Sequence, residues 1–231
     1  MRINNNVILI TGGSSGIGKA LVNALVQKEN ELIICGRHKP ENLEHPEYNA
    51  NIKYLACDLR KTSDIIAVFE RLKEENIYVN ILINNAGIID DESFLTQEIN
   101  YTELQHILSV NLLAPIILTD LFLKQVNLDS EACIINIGSN TAFNPDTSFI
   151  TYSASKAGLH SFSICLREKL KLSQIKVFEM IPPRVDTAMT RNVSKNKEYI
   201  DTIEMITPED CVESILEALQ SDIYEFKIPL Y

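Results

Sequence analysis

Tyr152 and Lys156 stand four residues apart in a stretch that reads as a helix, and Ser139 precedes the tyrosine by thirteen residues at the end of an apolar run. Residues i and i+4 share a helix face, so the lysine ammonium can sit beside the phenol and favour the phenolate. A phenol tuned in this way exchanges a proton near neutral pH. Ser139 follows residues 132–137, a strand-like run, and so falls at the carboxyl edge where parallel sheets meet their ligands. Its hydroxyl can hold a substrate oxygen. Far upstream, Thr11-Gly12-Gly13-Ser14-Ser15-Gly16-Ile17-Gly18 follows the strand-like residues 7–10 and opens a helix. Glycines there let backbone approach a pyrophosphate, and the helix start offers free N–H groups and positive dipole, so the turn is expected to bind a dinucleotide.

The end of the second strand-like run selects the dinucleotide. A cofactor without a 2′-phosphate is held there by an acid, but the chain has Ile33-Ile34-Cys35-Gly36-Arg37. Gly36 leaves room and Arg37 offers a planar guanidinium for a phosphate, with Ser14 or His38 as helpers. NADP(H) is therefore expected ahead of NAD(H), the bland alternative being that Arg37 is a solvated loop charge. Asp58 and Leu59 follow the third run; the Asp58 carboxylate either meets the adenine or caps the next helix. Asn85, Ala86 and Gly87 close the fourth run with small residues past which a cofactor can lie.

These residues need a frame to bring them together. Apolar runs at 7–10, 32–35, 52–57, 79–84, 132–137 and 176–181 alternate with amphipathic stretches at 16–28, 62–75, 101–126, 151–172 and 208–220. Continuous apolar strands separated by helices predict an α/β fold, a doubly wound Rossmann-type parallel sheet covered on both faces. A seventh run, 224–230, alternates and belongs at an edge. Seven strands are too few for an eight-stranded barrel. With 231 residues, 45% of them hydrophobic, one domain is expected. Polar connections at 88–100 and 184–206 stand out, the second expected to be a substrate-side lid.

A formal charge of -10 argues against nucleic acid or an anionic membrane as the partner. The five scattered cysteines suggest buried free thiols in a reducing compartment. The first residues are too polar for a signal peptide, and no apolar stretch approaches membrane-spanning length, so a cytoplasmic location is expected. His38, His45, His106 and His160 show no ligand spacing with cysteines or acids, and no metal is expected. Asn111 lies four residues before Pro115, which cannot donate to the Asn111 carbonyl; the helix should distort there and leave an oxygen free for a water.

Taken together, Thr11-Gly12-x-x-x-Gly16-x-Gly18, Asn85-Ala86-Gly87, Asn111, Ser139 and Tyr152-x-x-x-Lys156 make the chain resemble the short-chain dehydrogenase/reductase family, compact single-domain branch, from about residue 5 onward. The resemblance implies strand order 3-2-1-4-5-6-7, a nicotinamide cofactor, and homodimers or homotetramers built on helices 101–126 and 151–172. It also implies hydride transfer between nicotinamide C4 and the carbonyl carbon of a small carbonyl or alcohol substrate. Tyr152 would protonate the oxygen that Ser139 orients. Lys156 would lower the Tyr152 pKa and bind the nicotinamide ribose, and Asn111 would hold a water linked to the lysine. Two departures stand out. Pro182-Pro183 replaces the usual Pro-Gly ahead of Thr187, so Pro182 and Thr187 would hold the carboxamide differently, and Gly138 stands where a serine often precedes the catalytic one. Phe143, Asn144, Asp146, Phe149 and Ile150 are expected to line the substrate pocket. A cofactor-binding regulator with little turnover is the alternative from a different class.

Overall fold

The computed structural model describes residues 1–40, 51–89, 100–126, 128–193 and 204–230. The seven runs become β1 (Val7–Thr11), β2 (Glu31–Gly36), β3 (Ile52–Ala56), β4 (Ile81–Asn84), β5 (Ala132–Ile137), β6 (Ile175–Ile181) and β7 (Glu225–Lys227). They form one sheet in the order β3-β2-β1-β4-β5-β6-β7, with every pairing parallel. Parallel neighbours require crossovers, and all but the β2-to-β3 connection contain described helices: α1 (Gly16–Val26), α2 (Thr62–Glu74), α3 (Tyr101–Leu108), α4 (Ala114–Gln125), α5 (Ile150–Leu170), α6 (Ala188–Val193) and α7 (Pro208–Gln220).

Helices on both faces explain why the strands are apolar without alternation. Ile8 and Ile10 pack with Leu21, Val212 and Ile215 on one face. Leu9, between them, packs with Ile65, Leu118 and Phe122 on the other. β7 has only three residues, with exposed Glu225 and Lys227 flanking Phe226, and forms the edge that its alternation implied. At α7 the Thr207 hydroxyl accepts from the Asp210 N–H at 3.1 Å and Pro208 occupies the first helical turn, where its missing N–H costs nothing.

The stretch expected to be one helix over 101–126 breaks into α3, a π-helical turn (Ser109–Leu113) and α4. Pro115 has no N–H to give, and the Ala114 N–H reaches back to the Ser109 carbonyl instead, which widens the turn around Asn111. The expectation that no apolar stretch reaches spanning length needs correction: Tyr101–Gln125 is long and apolar enough to cross a membrane by length and composition. In this fold its Leu118 and Phe122 are buried against the sheet.

The cysteine expectation holds at four positions. Cys35, Cys57, Cys133 and Cys211 are buried and free, but Cys165 is exposed. In the segment expected to be a lid, α6 was not anticipated; residues 194–203 of that lid lie outside the described residues, as do 90–99 of the other polar connection and His45.

Candidate active site

A cleft of about 730 Å³ runs along the carboxyl ends of the strands. The glycine turn forms one wall, with Gly12, Ser14, Ser15, Gly16, Ile17 and Gly18 all facing it. Gly12 and Gly16 take φ of 69° and 51°, the left-handed region that side chains resist. Gly18 is required for a different reason: a Cβ there would lie 2.1 Å from the Gly12 carbonyl oxygen. Asn85 staples the turn by donating its amide to the Thr11 and Gly12 carbonyls at 2.9 and 3.1 Å. Thr11 Oγ1 in return accepts from the Asn85 and Ala86 N–H groups at 3.0 Å each. The Asn85 side chain is thus spent on the turn. Gly18→Ala is expected to lower the unfolding free energy by roughly 1–3 kcal/mol, measured by chemical denaturation; an unchanged midpoint would show that the turn can move aside.

The turn suits an anion. Ser15, at the start of α1, makes no side-chain cap, and the first turn of the helix carries no acid, leaving N–H groups and dipole for a phosphate. Arg37 lines the cleft beyond β2. It is exposed, and no carboxylate pairs with it among the described residues. Asp58 and Leu59 line the cleft beyond β3. Asp58 is held by Arg60, whose Nη2 donates at 2.6 Å. That hydrogen bond pulls the Asp58 carboxyl down to about 2 against a smaller opposing effect of burial. The Asp58 N–H donates to the Asp64 carboxylate at 3.1 Å, so Asp58 is part of a charged turn and not a simple helix cap.

Ser139, Tyr152 and Lys156 converge at the other end of the cleft. Ser139 Oγ accepts from the Thr141 N–H at 3.2 Å and its hydroxyl lies 3.0 Å from Thr141 Oγ1. Burial raises the Tyr152 phenol, and its hydrogen bond with Ser139 opposes the rise. Lys156 is 4% exposed and donates to the Ile137 carbonyl at 2.8 Å, with its Nζ 5.8 Å from the centre of the Tyr152 ring. The ammonium thus donates to a strand carbonyl, and it is the Ser139 hydrogen bond, not the expected lysine charge, that opposes the effect of burial on the phenol. Burial also pulls Lys156 down to about 8, with Glu179 opposing.

That depression has a defined sign. An unfolded lysine titrates near about 10.4, so between pH 8 and that value the unfolded chain binds more protons and stability rises with pH. Below pH 8 the buried charge is a standing cost.

Asn111 lies behind the cleft. Its Oδ1 accepts from the Ile88 N–H at 2.8 Å, and its Nδ2 donates to the Ile88 carbonyl at 2.8 Å and to Ser155 Oγ at 3.1 Å. The side chain thereby fixes the chain leaving β4. Gly87 leaves space between Asn111 and Lys156, since a Cβ there would lie 3.6 Å from Asn111 Oδ1 and 3.9 Å from Lys156 Nζ. Pro182, Pro183 and Thr187 line the cleft after β6. The Pro182 carbonyl accepts from the Asn140 N–H at 3.3 Å, and Thr187 packs over Gly16.

Of the residues expected in the substrate pocket, Asp146 and Phe149 line the cleft. Phe143 does not; it packs edge-on against His160 with ring centres 4.4 Å apart, beneath Lys227 at 3.9 Å. Asn144 bonds to Asn140 at 3.1 Å, and Ile150 is 43% exposed. Arg184, at the start of the segment expected to line the pocket with them, does line the cleft and reaches to 3.6 Å from Asp146.

Sequence reading also missed a polar group under the site. Glu179, in the middle of apolar β6, is 0% exposed and lies 2.8 Å from His160 Nδ1. His160, Glu179 and Glu225 bring potential donor atoms within 4.8 Å of one another, which corrects the expectation that His160 has no ligand spacing with acids. A cation already stands there: Arg167 lies 3.7 Å from Glu225. The only clue in the sequence was a glutamate interrupting Val177-Phe178-Glu179-Met180-Ile181.

Comparison with known proteins agrees with this arrangement. The family described as short chain dehydrogenase matches residues 6–198. The chain is 37% identical over 222 residues to an uncharacterized oxidoreductase, DltE, of Bacillus subtilis (strain 168), covering 95% of this chain and 86% of that one. A short-chain dehydrogenase from Sphingobium yanoikuyae in complex with NADPH superposes with a TM-score of 0.86 at 25% identity, covering 98% of this chain and 89% of that one. A 4-hydroxyisoleucine dehydrogenase complexed with NADH has the same fold, with a TM-score of 0.87 at 24% identity over 98% of each chain. The seven-stranded parallel sheet is that of the short-chain dehydrogenase family, to which this chain belongs.

Proposed function

We propose that the protein is an NADP(H)-dependent carbonyl reductase. The observation that carries this reading is one cleft with Arg37 at one end and Ser139, Tyr152 and Lys156 at the other. When bound, NADPH supplies a hydride from its nicotinamide C4 to the carbonyl carbon. The Ser139 hydroxyl donates to the carbonyl oxygen and fixes its position. As that oxygen gains negative charge, Tyr152 gives it the phenolic proton, completing the alcohol. Lys156 stabilises the tyrosinate left behind and holds the ribose, and the Asn111 main-chain carbonyl, to which Pro115 has no N–H to donate, holds the water through which the replacing proton arrives. Gly12 to Gly18 hold the pyrophosphate, Ala86 and Gly87 let it lie close, and Asp58 and Leu59 border the adenine.

This assignment predicts a pH dependence. The lysine must be charged to act, so kcat/KM for reduction should fall as pH rises through about 8, the value to which burial pulls Lys156. A rate flat to well above that pH would contradict the role given to the ammonium. The reading includes a homodimer or homotetramer, for which exposed Tyr101, Leu113 and Ile164 on α3, the π-helical turn and α5 offer apolar surface, and a cytoplasmic enzyme in which Arg184, Met189 and Met205 border the substrate.

A thermal-shift titration tests the cofactor without knowledge of the substrate. Ligand at a hundred times its Kd stabilises the native state by about 2.7 kcal/mol. NADPH is expected to raise Tm at concentrations where NADH does little; equal or better stabilisation by NADH would overturn the choice of cofactor.

A further inference from the structure

Among the described residues, Lys156 and Glu179 are the only lysine, arginine, aspartate or glutamate side chains that are buried. Both lie beside one peptide. Lys156 Nζ donates to the Ile137 carbonyl at 2.8 Å, while Glu179 Oε1 stands 2.9 Å from where a Cβ on the next residue, Gly138, would be. Oε1 has no hydrogen-bond partner, and Oε2 is held by His160. The carboxylate belongs to a polar row crossing the sheet in register, Asn84, Asn136, Glu179 and Glu225 on β4 to β7. Asn84 donates to Asn136, and Asn136 to Ser163 on α5, at 2.8 and 2.9 Å.

A buried carboxylate with a bare oxygen is costly unless a nearby charge compensates it. The charged and titratable groups around it are few. From α5 come Lys156, His160 and Arg167. From β7 come Glu225, which repels it, and Lys227, which lies over the Phe143 ring. The β5 row contributes only neutral Asn136. Arg167 is committed to the Val177 and Tyr224 carbonyls at 3.0 Å each and to Glu225 at 3.7 Å. Burial raises the Glu179 carboxyl while His160 and Arg167 oppose the rise; Lys156 is the buried cation among the described residues that feels the field of that carboxylate.

We propose that Glu179, oriented by His160, is the counter-charge of Lys156: a positioning residue that keeps the lysine an ammonium in an interior that would otherwise remove its proton, and so sets the alkaline limit of the reaction. The proposal rests on the reading above that Lys156 acts as an ammonium. It also accounts for Gly138. The carboxylate fills the space that a side chain would take, so the glycine at the foot of Ser139 and the glutamate on β6 occur as a pair. The field of Glu179 opposes the effect of burial on Lys156 in the direction required.

The test is an NMR titration of isotopically labelled lysine in the full-length protein, the Lys156 signal being identified by its loss in Lys156→Met. Glu179→Gln keeps the shape and removes the charge. It is expected to lower the Lys156 midpoint by about one pH unit, and to move the alkaline limb of kcat/KM by the same amount while leaving kcat at lower pH within about threefold. An unmoved midpoint in a folded Glu179→Gln protein would overturn the proposal. If that variant does not fold, His160→Leu strips the donor from the carboxylate and should lower the same midpoint; no change there is equally decisive. A wild-type protein without turnover would sink the carbonyl-reductase reading yet leave the Lys156 titration to be read on its own.

Discussion

Tyr152→Phe is expected to reduce turnover by about 10²–10⁴-fold on any carbonyl compound that the wild-type protein reduces, the range that a positioned proton donor contributes. The substitution removes one hydroxyl and leaves the ring that packs within the cleft, so the fold should persist. NADPH affinity should stay within about twofold, because the groups assigned to the phosphates, Gly12 to Gly18 and Arg37, are untouched. The loss should appear in kcat and kcat/KM alike, as expected when the missing interaction acts on the oxygen in the transition state. Ser139→Ala should follow the same pattern more mildly, since Tyr152 would still supply the proton. A Tyr152→Phe enzyme retaining more than about a tenth of wild-type turnover would assign the proton to another group.

Arg37→Ala should weaken NADPH binding by roughly 10–100-fold, since a charge-assisted hydrogen bond is worth about 1.5–3 kcal/mol. NADH, with no 2′-phosphate, should bind as before. Arg37 is well placed for this because no carboxylate among the described residues competes for it, whereas the neighbouring Arg60 is taken by Asp58. The NADPH affinity of the wild-type protein should also fall with added salt, and that of Arg37→Ala should fall less. Direct titration by the fluorescence of the reduced nicotinamide measures both. A change in NADPH affinity below about threefold would mean that Arg37 is a solvated charge.

The frame was legible because its signal is repeated. Seven apolar runs, each bounded by turn residues, gave seven strands, and the long helices fell within about two residues of their expected ends, the usual uncertainty of helix termini. Ser139, Tyr152 and Lys156 were legible because a strand end and a helical i, i+4 spacing are local geometry. Pro115 announced the distortion at Asn111, though not that it would be a π turn, which depends on which carbonyl the Ala114 N–H selects. What escaped was non-local. His160 and Glu179 lie on different elements, and only the packing of α5 over β6 brings them together. Phe143 was assigned to the substrate pocket by proximity in sequence, but its ring is drawn away by His160 and Lys227. The orientation of Lys156 was missed for a related reason: i, i+4 spacing puts two side chains on one face but does not say that a strand carbonyl will capture the ammonium.

The most direct test of the central claim is to follow the hydride. Wild-type protein and Tyr152→Phe would each be incubated with NADPH carrying deuterium at nicotinamide C4 and a panel of ketones and aldehydes, with the products examined by mass spectrometry. The account predicts deuterium on the carbinol carbon of at least one product from the wild-type protein, and a rate of transfer lower by about 10²-fold or more in the variant. Wild-type protein that binds NADPH yet delivers no deuterium across the panel, or a variant that delivers it as fast as the wild type, would contradict the assignment of this cleft as a carbonyl-reducing site driven by Tyr152.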